Sequence, residues 1–310
     1  MGILAIDFGG TRLRTGWFEG ADLDLIQRTE TRTRVEDGQT AVIERIIATA
    51  QAVIPQDAII EAIGIAAPGP LDAAADVIQH AKTLPGWHHV PLAQIVSEAF
   101  GGVPSFMQND ANLAAVAEYH RGAGRGCDPM IYLTLSTGIG GGAIIRGDLF
   151  TGSAGLAIEP GHQMFRLPDG QVKRLEELAS GTAIGKRAQA LLQTTDEPSI
   201  LRTYPEVDGR VVGQAAQAGD PLALQIVSEA GEWLGLGLVN LLHLFNPQAV
   251  VVGGSVAGLG DLLFTPARAM IQAHVLDNAF IVPDLIRPAA LGEDVCLIGA
   301  AWYAAGKVTL

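Results

Sequence analysis

Basic residues are scarce in this sequence. It carries 20 Lys and Arg against 33 Asp and Glu in 310 residues, a formal net charge of -13. Binding to nucleic acid or to an anionic membrane surface needs clustered Lys and Arg, and no basic run offsets the deficit. Neither partner is expected. Cysteine is almost missing: Cys127 and Cys296 alone cannot supply a disulfide framework or a thiolate metal site. A charged segment followed by a long apolar run is absent from the start, where residues 1–6 enter a strand pattern and meet Asp7. No secretory leader is therefore expected, and the chain reads as cytoplasmic. Charge of either sign is sparse, 17% against 48% hydrophobic residues, so sizeable cores can be buried, and the length suits two domains. The stretch 222–245 is apolar enough to raise the question of a membrane span, but Glu229, Glu232, Asn240 and His243 interrupt it. Charges inside lipid are costly, so a long buried helix is the expectation.

Glycine, by contrast, is abundant and patterned. Residues 3–6 read as a strand, Asp7-Phe8-Gly9-Gly10-Thr11 as a turn and residues 12–19 as a second strand. Such a turn presents backbone N–H groups and a hydroxyl that suit phosphate oxygens, with Asp7 placed to hold Mg²⁺ through water. A plain Gly-Gly hairpin would read the same way. The pattern returns at 130–146 as a strand, the turn Ser136-Thr137-Gly138-Ile139-Gly140-Gly141-Gly142 and another strand. Two glycine hairpins in register imply an internal duplication whose second copy starts near residue 130, and both would face a nucleotide's phosphates. Between and after them come further strands at 59–66 and 249–252, helices at 40–53, 91–100, 211–218 and 222–245, a polar loop at 167–174, a last strand at 281–286 and an alanine-rich helix at 296–305.

A polar pair, Asn109-Asp110, stands where an apolar strand (103–107) meets a stretch of helical spacing (111–120). A carboxylate there faces free N–H groups and the positive end of the helix dipole, which is expected to keep it ionised. That suits a base, although helix N-caps draw the same residue types.

Taken in order, DFGGTR (7–12), APGPLD (67–72), QNDAN (108–112), STGIGGG (136–142), EPGH (159–162), LEELASG (175–181) and VVGGS (251–255) resemble the ROK family of sugar kinases and sugar-responsive repressors, in the actin-like ATPase superfamily. The resemblance spans nearly the whole chain. It implies an α/β fold of two actin-like (ribonuclease H-like) lobes with an interdomain cleft, placed here at 1–109 with 296–310 and at 110–295. It implies ATP and Mg²⁺ as cofactors, a sugar as substrate and the possibility of a homodimer. Asp110 would be the general base toward a sugar hydroxyl, and Asn109, Glu159, His162 and Glu176 would hydrogen-bond the sugar. Asp7, Gly9, Gly10 and Thr11 with Thr137 and Gly138 would serve the phosphates, and Gly253 and Gly254 would flank the adenosine. Many members carry a CxCGxxGCxE zinc motif; the matching run at 167–176 keeps Gly170 and Glu176 but no cysteine. No zinc is expected, which leaves His162 to the sugar. Thr83 replaces the usual Asn of an NLPGW segment, and Arg12 the usual Lys.

Three functions compete. An ATP-dependent hexose kinase, glucokinase-like or acting on another hexose or N-acetyl hexosamine, uses every motif. A sugar-sensing repressor would place a winged helix before the first phosphate loop, where Asp7 leaves no room. An actin-like ATPase of assembly would have no need of EPGH and QNDAN.

Overall fold

The computed structural model describes residues 2–72, 76–81 and 83–308. It comprises two compact units, one of residues 1–125, 148–157 and 290–310, the other of residues 126–147 and 158–289.

The first unit is built on a five-stranded sheet in the order Asp24–Arg32, Arg12–Glu19, Gly2–Phe8, Ala62–Ala67, Ser105–Asn109. Its first two pairings are antiparallel and the next two parallel. Alternation along Gly2–Phe8 feeds two cores, as the two-residue strand period requires. Leu4, Ile6 and Phe8 pack with Val42 and Ile46 of the helix Gln39–Gln51 and Val96 of Leu92–Ala99. Ile3 and Ala5 pack with Leu113 of the helix Asp110–Arg121 and with Leu297, Ala300 and Ala301 of Val295–Val308. Ala62–Ala67 is buried at every position because both faces are covered.

The helix Asp110–Arg121 was expected to open the second lobe at residue 110, yet it belongs to the first unit. The reason is packing: Gly299 of the terminal helix lies so close to the Leu113 carbonyl that no Cβ would fit. Its buried Glu118 accepts hydrogen bonds from the N–H groups of Ala123 (2.8 Å), Ala290 (2.8 Å) and Leu291 (3.1 Å). That satisfies a carboxylate which burial would otherwise penalise.

The second unit repeats the plan. Its strands run Ile139–Ile145, Met130–Leu135, Ala249–Gly253, Ile286–Pro288, antiparallel and then twice parallel, in keeping with the duplication read from the glycine turns. Three local expectations change. The second glycine turn is short, since Gly140, Gly141 and Gly142 lie inside a strand; a Cβ on Gly141 would meet the Pro160 ring and the Tyr132 carbonyl at 2.7 Å, so close approach explains that glycine. Of the segment expected as a loop at 167–174, residues 167–171 are the turn of a hairpin, and Val172–Arg174 is a strand paired with Met164–Arg166. The last strand is Ile286–Pro288, not 281–286, because Pro283 lacks an N–H and Asp284 adopts φ 52°.

Pro221–Phe245 is the one helix among the described residues long and apolar enough to cross a membrane, by length and composition alone. Its buried positions, from Leu222 to Leu242, pack inside the unit. Asp220 caps its start by accepting from Ala223 N–H at 2.9 Å, with Pro221 in the first turn.

Candidate functional site

In the first unit the candidate residues gather at the carboxyl ends of the parallel strands, where ligands bind in open α/β sheets. Asp7 is level with Ala66, and Ala67 with Asn109. The turn after Asp7 is held by Gly9 N–H donating to the Arg12 carbonyl (2.9 Å) and by the Thr33 hydroxyl donating to the Gly9 carbonyl (2.6 Å). The N–H groups of Gly10 and Thr11 have no partner among the described residues, so they are free donors for an anion. Gly10 presses on Thr83: a Cβ there would lie 2.9 Å from both the Cβ and the carbonyl oxygen of Thr83.

Asn109 caps the helix Asp110–Arg121, its side-chain oxygen accepting from Ala111 N–H at 2.9 Å, and its amide nitrogen faces Gly69 of the 67–72 turn. Asp110 is the first helical residue, accepts from the same Ala111 N–H at 2.8 Å, and is exposed at its surface. The carboxyl reaches solvent but is crowded by protein on other sides. Desolvation raises its pKa above the usual 3.8, and the backbone N–H groups of Ala111 and Asp110 only oppose that shift. The N–H groups of the helix terminus, expected to keep the acid ionised, do act to lower its pKa, and crowding sets the direction of the net shift. For a proton acceptor this is the useful direction, because a base with a raised pKa holds the proton it takes more firmly.

Asp7 behaves similarly. Desolvation lifts it to about 6 against the hydrogen bond and charge of Arg14, and the nearby Asp110 adds to the rise. Arg14 Nη1 donates to Asp7 at 3.1 Å, and its other nitrogens reach Glu30 at 3.1 Å and Glu293 at 3.3 Å. Arg14 was not singled out from the sequence, yet the signal was present: in a hairpin turning at 9–11, position 14 falls opposite Asp7. Two mutually repelling carboxylates suit a divalent cation. With Arg14 already on one oxygen of Asp7, an outer-sphere contact through water fits better than direct ligation.

In the second unit, Thr137 and Gly138 form the turn before Ile139–Ile145, docked on the start of the helix Gly181–Thr194. Gly181 N–H donates to the Ser136 carbonyl (2.8 Å) and the Thr182 hydroxyl to the Thr137 carbonyl (2.8 Å). Beside them lies a cavity of about 660 Å³ lined among others by Thr137, Lys186, Asp208, Gln214 and Ser255. Gly253 and Gly254, expected to flank the adenosine, are not among its lining residues. Gly253 lies against the Tyr132 hydroxyl, and Gly254, at φ 90°, against Leu135. Lys186 of the helix Gly181–Thr194 and Gln214 of the helix Gly209–Gln217 line this cavity without belonging to any motif read from the sequence.

Glu159, His162 and Glu176 come together at the same strand. Pro160–His162 is a short 3-10 turn whose Gly161 abuts the Ile139 carbonyl. Leu175 N–H donates to the Gln163 carbonyl at 2.9 Å, bringing position 176 beside position 162. Glu176 reaches the phosphate turn: its Oε2 is 3.5 Å from Ile139 N–H, and a Cβ on Gly138 would lie 2.8 Å from it. Glycine at 138 thus makes room for Glu176. The run at 167–176 supplies Asp169 and Glu176 but no thiolate, and no group of three His, Cys, Asp or Glu fit to hold a metal occurs among the described residues. It does not fit zinc.

A two-unit α/β fold with a glycine hairpin in each half and a carboxylate at a strand-to-helix junction is the architecture of an actin-like sugar kinase. Comparison with known proteins makes this specific: the ROK family model matches residues 3–307, and the chain belongs to the ROK family. It is 32% identical over 310 residues to the glucokinase of Thermotoga maritima, covering 96% of each protein. A ROK hexokinase from Thermus thermophilus superposes with a TM-score of 0.81 at 33% identity, covering 100% of this chain and 99% of that one. A ROK family glucokinase from Streptomyces griseus, solved with glucose and AMPPNP, superposes with a TM-score of 0.78 at 31% identity over 99% and 100% of the two chains.

Proposed function

We propose that this protein transfers the γ-phosphoryl group of ATP to a hexose hydroxyl, with glucose as the first candidate. The observation that carries the reading is Asp110, standing beside Asp7 and the free donors of Gly10 and Thr11 at one end of the parallel strands. Full-length likeness to glucokinases, one of them solved with glucose and AMPPNP, supports the substrate pair.

Asp110 takes the proton from the attacking hydroxyl, which becomes nucleophilic as it approaches the phosphorus. Asn109 orients the sugar from the same junction, and Glu159, His162 and Glu176 offer carboxylate and imidazole partners for its hydroxyls. Backbone N–H groups at 10 and 11 and the turn at 137–138 hold phosphate oxygens, as phosphoryl transfer asks chiefly for positioning and charge neutralisation. Asp7 would hold Mg²⁺ through water; the ion supplies neutralisation of phosphate charge. No zinc takes part.

Replacing Asp110→Ala tests this. The kcat should fall by about 10²- to 10⁴-fold, the range for loss of a general base, while calorimetric sugar affinity stays within about threefold of wild type. An unreactive wild type across a broad hexose panel with ATP and Mg²⁺ would refute the kinase reading; a panel led by mannose, fructose or an N-acetyl hexosamine would move the substrate within it.

A further inference from the structure

One face of the long helix Pro221–Phe245 carries Trp233, Gly237 and Asn240, at positions i, i+4 and i+7, which fall on one stripe of a helix. Each touches the segment between His162 and Glu176. The Trp233 ring meets Phe165 edge-on, centroids 5.8 Å apart and planes at 66°. Leu175, 1% exposed, sits on Gly237, where any Cβ would come within 2.5 Å of its Cδ2. Asn240 Nδ2 donates to Gln163 Oε1 at 2.9 Å. Gln163 precedes the hairpin strand that starts at Met164, Leu175 follows the one that ends at Arg174, and their backbones are joined at 2.9 Å. Arg174 is in turn tied to Glu177, its N–H and Nε both reaching Oε2, at 2.9 and 3.1 Å.

We propose that this helix face positions Glu176 and His162, with Trp233 and Asn240 as the positioning residues, and that it does so without a bound metal. The proposal rests on the reading of Glu176 and His162 as sugar ligands. The geometry explains how a hairpin with no thiolate keeps its two ends in register. One end is fixed through Gln163 and Phe165, the other through Leu175, and both anchors belong to one rigid helix. Functional side chains keep productive geometry only when such support fixes them. Without it, Glu176 is a half-buried side chain on the short helix Glu176–Ala179, next to strands of three residues each.

The test uses Trp233→Ala, Trp233→Phe and Asn240→Ala in the full chain. Trp233→Ala and Asn240→Ala should raise the sugar KM by about tenfold, equivalent to about 1.4 kcal/mol, and leave kcat and the ATP KM within about twofold. Trp233→Phe, which keeps an aromatic edge, should recover most of the loss. Limited trypsinolysis should cut at Lys173 and Arg174 faster in Trp233→Ala, with the circular dichroism of the folded protein retained. Three results would overturn the proposal: unchanged sugar KM and cleavage; sugar and ATP KM rising together with cleavage along the whole chain; or zinc near one per chain whose removal by chelator raises the sugar KM. If the wild type binds no hexose, the sugar reading falls, and the cleavage pattern still decides whether the helix face holds the hairpin.

Discussion

The two glycine hairpins share a plan and differ in what surrounds them. In the first unit the turn at 9–11 is flanked by the carboxylates Asp7 and Asp110, both raised in pKa, with Arg14 on one of them. In the second, the turn at 136–138 is docked on a helix start through Gly181 and Thr182, and Glu176 leans on it. A duplicated scaffold has thus separated its tasks. The first copy gathers the carboxylates Asp7 and Asp110, Arg14 and the free N–H groups of Gly10 and Thr11; the second gathers the cavity beside Thr137 and the Glu176 carboxylate against its turn. The glycines differ accordingly: Gly10 gives way to a backbone carbonyl, Gly138 to the end of a flexible side chain.

That contrast can be broken in order of expected effect. The largest concerns Asp7 in magnesium-free protein. Its folded pKa of about 6 exceeds the usual 3.8, so the folded state holds the proton more tightly. The contribution of Asp7 to stability is greatest at low pH and is lost as pH rises from 3.8 to about 6, by up to about 3 kcal/mol. Asp7→Asn should remove that loss. Denaturant midpoints of the two proteins at pH 4.5 and 7 will diverge if so, and parallel shifts will refute it.

Next, Gly10→Ala places a Cβ against the Thr83 backbone and should cost about 2 kcal/mol of stability by overpacking. Gly138→Ala displaces only the Glu176 carboxylate, so it should be nearly neutral in melting temperature while raising the sugar KM about threefold to tenfold. Equal melting losses in the two variants would erase the distinction. The smallest effect concerns Cys296, whose Sγ lies 3.5 Å from the Asp110 carbonyl. Burial and the charges of Asp7 and Asp110 push its thiol well above the usual 9. Iodoacetamide at pH 8 should label it slowly, since the thiolate is the nucleophile; rapid labelling would show that the group is not crowded.

Much of this was legible in advance where the signal is local. The hairpin Gly2–Phe8 and Arg12–Glu19, the junction at Asn109-Asp110 and the helix Pro221–Phe245 follow from alternation, glycine and capping. The hairpin at 164–174 did not, because three-residue strands carry too little alternation to read. The helix terminus that lowers the Asp110 pKa is visible in sequence, whereas the crowding that raises it is not.

By itself the sequence determined the family, the repeated strand–turn–strand plan and the residue types available for chemistry, since these reside in local pattern and spacing. Only the tertiary structure decided that the helix Asp110–Arg121 joins the first unit, that Gly138 exists for Glu176 and that Trp233, Gly237 and Asn240 hold the hairpin. Those are contacts between residues distant in the chain, and their energies depend on burial and close approach that no local window contains.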